Sequence, residues 1–174
     1  HRGEGSTVTG IINVSVAAEA DAPALVLTNA SGSEDTAISL DISAALSDTD
    51  GSESLSITIA DVPEGAVLSN GTNNGDGTWT LAAADLDGLT ITPAANSDED
   101  FTLSVTATST EANGGDSATT TGTIAVSVAA QADAPIFHVT DSSGLEDSAI
   151  ALDISAIVAD GSESLSITIA DVPE

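Results

Sequence analysis

The side chains able to do chemistry in this sequence are carboxylates. Of its 174 residues, 28 are Asp or Glu, against a single Lys or Arg (Arg2) and two His, so the net charge is −27. There is no Cys, which removes thiolate zinc sites, cysteine nucleophiles and disulfide staples. Ser and Thr are abundant, but none lies in a nucleophile motif, and His1 and His138 are poor candidates for a base. What remains is oxygen-donor chemistry. Calcium takes about six to eight oxygens in irregular geometry, from carboxylates and backbone carbonyls alike, whereas magnesium demands a stricter octahedron and keeps several waters. Zinc and copper favour His or Cys.

Two acidic stretches imitate known sites and fall short. The turn NNGDGTWTL (residues 73–81) has the look of an EF-hand loop but lacks the twelfth-position Glu and flanking helices; it reads as a hairpin turn. Asp85 and Asp87 in DLDG are spaced like a glycosidase pair, yet nothing nearby supplies a cleft or an electrophile.

The acids that matter are placed by a repeat. Glu34–Glu64 returns as Glu146–Glu174, and the last fourteen residues of each, GSESLSITIADVPE, are identical. Pro23 matches Pro135 and Glu34 matches Glu146, an offset of 112, which falls to 110 after the loop Asp48-Thr49-Asp50 because the second copy keeps only Asp160. Thr9–Pro23, TGIINVSVAAEADAP, likewise matches TGTIAVSVAAQADAP at Thr121–Pro135. The chain therefore divides into the last strand of one repeat (1–20), a whole repeat (21–133) and the first strands of a third (134–174). A unit of this length is in the single-domain range, well above solenoid repeats of about 20–50 residues.

Period-two alternation marks the strands. Ile12, Val14 and Val16 predict the closing strand of the first copy. Within the whole repeat the expected strands carry Leu25 and Leu27; Ile38, Leu40 and Ile42; Leu55, Ile57 and Ile59, with Ser54, Ser56 and Thr58 facing water; a short run near Ala66–Ser69; Thr78–Leu81, with Trp79 as a core anchor; Leu89–Thr92; Phe101 to Ala107; and Ile124, Val126 and Val128. Short strands joined by turn signals predict an all-β fold, an antiparallel β-sandwich. Eight hairpin-joined strands would bring the chain back to the pole where it began. A tandem array needs opposite poles, so one connection is expected to cross the domain, and Ala82–Gly88 is the one helix-compatible candidate.

That crossing assigns loops to poles. The upstream pole is expected to hold Asp21, the Asp48/Asp50/Glu53 loop, the Asn70–Gly77 turn and the Glu111–Asp116 loop. The downstream pole is expected to hold Glu34, Asp35, Asp61, Glu64, Asp98–Asp100 and the linker Gln131–Asp133. At the downstream junction Glu34, Asp98, Asp100 and Asp133 would meet Asp160 and Glu163 of the next copy. Like charges about 4 Å apart repel by roughly 4 kcal/mol at an effective dielectric of 20, so the gathering itself predicts a bound cation, Ca2+.

At this point the chain resembles a family. AEADAP, NASGSEDTAI, SDTDGSESLSITI, GDGTWTL and GLTITPAANSDEDFTLSVTAT look like the tandem immunoglobulin-like extender repeats of bacterial RTX adhesins, which are long, type I-secreted, calcium-dependent surface proteins. The resemblance covers nearly all of the chain and extends to the cadherin plan of calcium ligands. It implies that Glu34 is the acid after the first strand, Asp98 and Asp100 the acid-x-acid loop, and Asp133 the linker acid. Asp48 and Asp50 match the Asp-x-Asp of the upstream junction, where Asp21 stands in the linker. The last copy departs by keeping only Asp160 of that pair.

The expected function is a structural extender of a cell-surface adhesin, outside the cell, with calcium stiffening its linkers and neighbouring repeats of the same chain as partners. The alternative is a module that itself contacts carbohydrate, ice or another cell; aromatic residues at 2% argue against it. An enzyme is not expected, nor a small-molecule substrate. So acidic a chain should not bind nucleic acid, which needs Lys and Arg, and no apolar run approaches the roughly 20 residues of a membrane span. No signal peptide is visible. Because the sequence starts and stops inside repeats, it is expected to be a window on a longer polymer. Disorder, the other outcome for an acidic chain poor in aromatics, is opposed by 41% hydrophobic content and the regular alternation.

Overall fold

A computed structural model describes residues 3–173, and the fold is all-β. The strands of the complete unit are β1 (Ala24–Leu27), β2 (Ala30–Ser33), β3 (Ile38–Ser39), β4 (Ile42–Ala45), β5 (Glu53–Ala60), β6 (Val67–Leu68), β7 (Thr72–Asn73), β8 (Trp79–Ala82), β9 (Thr90–Thr92), β10 (Phe101–Glu111) and β11 (Ser117–Ala129). β12 (Ile136–Thr140) and β13 (Asp153–Ile157) follow. One sheet runs β2-β11-β10-β5-β8-β7. The facing layer is β3-β9-β6 together with the β1-β4 pair; Leu40 N–H bonds to Leu89 O at 2.9 Å and carries the layer across the break between β3 and β4.

Alternation builds the core between them. Leu103, Val105 and Ala107 of β10, Ile124, Val126 and Val128 of β11, and Ile57 and Ile59 of β5 point inward, against Ile38, Leu40, Ile42, Leu68, Leu89 and Ile91 of the other layer. Trp79 and Leu81 of β8 complete it, and Trp79 is buried as expected of an anchor. Burying a side chain of this size contributes about 1.5–3 kcal/mol.

Four features depart from the sequence expectations. The β2–β11 pairing is parallel, with Val126 opposite Ala30, so the sandwich is not wholly antiparallel. Ala30–Ser33 (ASGS) carries no apolar alternation, and what makes it a strand is the free edge of β11. Second, the strand expected through Ile38, Leu40 and Ile42 is divided into β3 and β4.

Third, Ala82–Gly88 does not cross between poles. Asp85 Oδ2 accepts from Ala82 N–H at 2.8 Å and caps a 3₁₀ turn over Ala83–Leu86, which carries the chain from the β8 sheet to the β9 sheet. The odd number of passes comes from β7, a short returning strand inside the predicted turn, antiparallel to β8 with Asn73 opposite Trp79. Because Trp79 pairs with Ile59 near the end of β5, and Val62 N–H bonds to Gly77 O at 3.1 Å, the turn following β7 lies at the downstream pole, not the upstream one.

Fourth, Ile12, Val14 and Val16 form no strand, being 80–87% exposed, and neither do Leu165, Ile167 and Ile169, whose counterparts Leu55, Ile57 and Ile59 lie in β5. The matching residues of β11 are laddered to β10 and β2, and residues 9–17 have no such neighbours among the described residues; an isolated strand has no ladder to stabilise it.

The β12–β13 pair repeats the β1–β4 pair register for register. Ile136 faces Ile157 and Thr140 faces Asp153, where Ala24 faces Ala45 and Thr28 is bonded to Asp41 in the first set. Local details follow the same offset. Asp35 and Asp147 both adopt a positive φ, 55° and 61°, and Thr36 Oγ1 and Ser148 Oγ both donate to the carbonyl three residues back.

Candidate cation sites at the two poles

The upstream pole is assembled by the ends of β5 and β10. Glu111 is the last inward position of β10, after Leu103, Val105, Ala107 and Ser109, and is 4% exposed. Glu53 is its direct cross-strand partner on β5. Glu53 Oε1 accepts from Asp21 N–H at 2.7 Å, and Glu111 Oε1 from Ser52 Oγ at 3.0 Å. The second oxygen of each is buried without a hydrogen-bond partner.

Asp48 and Asp50 form the adjoining loop through two successive side-chain turns. Asp48 Oδ1 accepts from Asp50 N–H at 2.9 Å, and Asp50 Oδ1 from Ser52 N–H at 2.8 Å. The bonds from Ser52 hold the Asp50 carboxyl below the usual value, since donors favour the charged form. Ser52 thus touches Asp50 and Glu111 together. Asp21 joins by its backbone, through its N–H to Glu53 and its carbonyl, which accepts from Ser109 Oγ at 2.5 Å.

The downstream pole is built on Glu34, which is 1% exposed. Its Oε1 accepts from Gln131 N–H at 2.6 Å, and its Oε2 is buried and unpartnered. Asp100 Oδ1 accepts from Val128 N–H at 2.8 Å, and Asp98 lies exposed in the same loop. The next copy enters through Glu163, whose Oε1 accepts from Asp133 N–H and whose Oε2 accepts from Ala159 N–H at 3.3 Å. This is the Asp21–Glu53 contact again, at its repeat-equivalent positions. Asp160 Oδ1 accepts from Ser162 Oγ and N–H, both at 2.7 Å, which lowers its carboxyl's pKa, while Oδ2 is buried and unpartnered. Asn96 Nδ2 reaches Ala159 O at 3.4 Å, a bond between the two copies that uses no acid.

Of the residues expected from sequence, Asp21, Asp48 and Asp50 meet at one pole, and Glu34, Asp100, Asp133 and Asp160 line the other. Among the described residues, no three Asp, Glu or His side chains already surround a common point as a metal cage. The carboxylates spend one oxygen on backbone or hydroxyl donors, and four of them (Glu34, Glu53, Glu111 and Asp160) hold the other buried and bare. A bare buried carboxylate oxygen is unfavourable until a water, a proton or a cation meets it, and a cation is the one of these that also offsets the charge of neighbouring carboxylates. Arg2, the one Arg or Lys, lies outside the described residues.

The sequence puts Glu53 and Glu111 at the upstream pole without marking either as a ligand. The signal was there: both occupy inward positions in otherwise apolar or hydroxylic alternations. No family model matches the chain, and no curated protein or solved structure matches it.

Proposed function

We propose that this chain is a spacer module of a large bacterial cell-surface adhesin, whose consecutive β-sandwich units of immunoglobulin-like and cadherin-like plan are locked end to end by Ca2+ at their linkers. The observation that carries the reading is the Glu53–Glu111 pair: two carboxylates in cross-strand register, each with a buried unpartnered oxygen. Like charges directly opposite each other destabilise a sheet. A divalent cation reverses that sign and takes up the free oxygens. The family assignment rests on the sequence resemblance.

Both linkers are gripped in the same way, Asp21 by Glu53 and Asp133 by Glu163. The donor set is oxygen only and supplies carboxylates, the Ser52 and Ser162 hydroxyls and linker carbonyls, which suits calcium's tolerance of irregular shells. Small-angle scattering of a chain with several units tests the reading: calcium should lengthen it and a chelator should let it bend. An unchanged profile on chelation refutes it.

A further inference from the structure

We propose that Asn113 is a site of spontaneous, enzyme-free deamidation, which places a built-in chemical clock in the loop that receives the upstream linker. Three Asn-Gly pairs occur, Asn70–Gly71, Asn74–Gly75 and Asn113–Gly114. Each is open to the same reaction in a free chain, because glycine leaves its nitrogen unhindered and its backbone mobile. The fold protects two of them. Asn70 Nδ2 is bound to Asp85 O at 3.0 Å, and a Cβ on Gly71 would lie 2.8 Å from Leu81 Cγ, so that turn is tightly enclosed. Asn74 Nδ2 is held by Thr78 Oγ1 at 2.9 Å and Thr80 Oγ1 at 3.1 Å, and the Gly75 nitrogen is occupied by Asn73 Oδ1 at 2.8 Å.

Asn113 has none of this. It is exposed in the turn between β10 and β11, Gly114 and Gly115 have open space around them, and both have positive φ, 109° and 69°. Neither the Asn113 amide nor the Gly114 N–H has a hydrogen-bond partner among the described residues. A loop with so few tethers opens locally at little free-energy cost.

The reaction needs only hydroxide and water. The Gly114 nitrogen gives up its proton and attacks Asn113 Cγ. The new N–Cγ bond closes a five-membered succinimide, the Cγ–Nδ2 bond breaks, and ammonia leaves. Water then opens the ring at either carbonyl. Cleavage between Cγ and the nitrogen gives aspartate; cleavage between the main-chain carbonyl carbon and the nitrogen gives isoaspartate. The net change is one water in and one ammonia out. Either product sets a new carboxylate between Glu111 and Asp116, and isoaspartate also lengthens the main chain by one methylene. The same loop is closed by Glu111 N–H to Asp116 O at 2.9 Å and holds the linker through Ala20 N–H to Asp116 Oδ2 at 3.1 Å. Conversion at Asn113 therefore changes the charge and, through isoaspartate, the main-chain length of the loop that holds the linker.

Peptide mapping by mass spectrometry tests this on the full chain kept in mildly alkaline buffer, native and in urea. In urea the three sites should convert at similar rates. In the native chain Asn113 should convert at least about tenfold faster than Asn74 or Asn70, equivalent to about 1.4 kcal/mol of extra local opening at the protected sites. Isoaspartate should be the larger product, and Asn113→Gln should abolish the early mass gain. Equal native rates at the three sites, an earlier conversion at Asn70 or Asn74, or a native chain unchanged at Asn113 while the urea sample converts, would each overturn the proposal.

Discussion

Glu53 and Glu111 face each other across the β5–β10 ladder, and each keeps one oxygen buried and without a partner. Nothing else in the unit places two carboxylates in direct register with the core behind them. Two charges so placed repel, by roughly 4 kcal/mol if about 4 Å apart at an effective dielectric of 20, and the proposed cation between them would reverse that sign.

This sets a sign test. Glu111→Gln keeps an acceptor for Ser52 and removes one charge. In chelator the variant should be more stable than the parent by about 1–3 kcal/mol, because an uncompensated buried charge is gone. In calcium the order should reverse, and the calcium-induced rise in melting temperature should shrink. Thermal melts in both buffers decide it; destabilisation of equal size in both would mean that Glu111 is a packing residue with no cation.

At the downstream linker, backbone and side chain separate cleanly. Asp133 enters the Glu163 contact through its N–H, so Asp133→Ala leaves that bond intact, whereas Glu163→Ala removes the bonds to both Asp133 and Ala159. In chelator, hydrogen exchange at the Asp133 amide should speed up by about tenfold for Glu163→Ala, as losing about 1.4 kcal/mol implies, and stay unchanged for Asp133→Ala. In calcium Asp133→Ala should lose the added protection. Equal behaviour of the two variants in chelator would refute the grip seen here.

Acid should release the Asp76 turn in a defined window. Thr78 Oγ1 donates to Asp76 Oδ1 at 2.6 Å and Thr78 N–H at 3.1 Å, and these bonds hold the carboxyl below the ordinary 3.8. A lowered folded-state pKa means that the contribution is fully present above the unfolded value and is lost as pH falls below 3.8 and through the folded value. Thr78→Val removes the hydroxyl donor and should raise the Asp76 titration midpoint towards 3.8, read by NMR of the carboxyl carbon. A midpoint that does not move would show that the backbone bond alone sets it.

The extra pass through β7 depends on one glycine. Gly71 has φ of 92°, and an added Cβ would stand 2.8 Å from Leu81 Cγ and 2.9 Å from Thr80 O. Gly71→Ala should destabilise the unit by about 1–3 kcal/mol through overpacking, read as a lower urea midpoint with unchanged slope. A neutral result would mean that the β6–β7 connection can relax away from β8.

The contrast between β10 and β7 shows what can be read in advance. β10 alternates apolar and hydroxylic residues from Phe101 to Thr108, and a period of two places one set inward whatever else the chain does. The same pattern made β5, β9 and the second half of β11 legible, with the acids in the loops beyond their ends. β7 has two exposed residues, Thr72 and Asn73, and no pattern; it is a strand because β8 offers it an edge. The turn after it moved to the other pole for that reason.

By itself the sequence determined the all-β class, the inward faces of the long strands, the offset that relates Asp21 to Asp133, and the great excess of carboxylate over His and Cys side chains. These follow from local alternation, identity between copies and composition. Only the tertiary structure decided that Ala30–Ser33 lies parallel to β11, that Glu53 is opposite Glu111, and which carboxylate oxygens keep a donor and which are left bare. Those outcomes depend on which strand edges meet and in what register, and pairing between residues 58 positions apart, as Glu53 and Glu111 are, is set by the whole core closing at once.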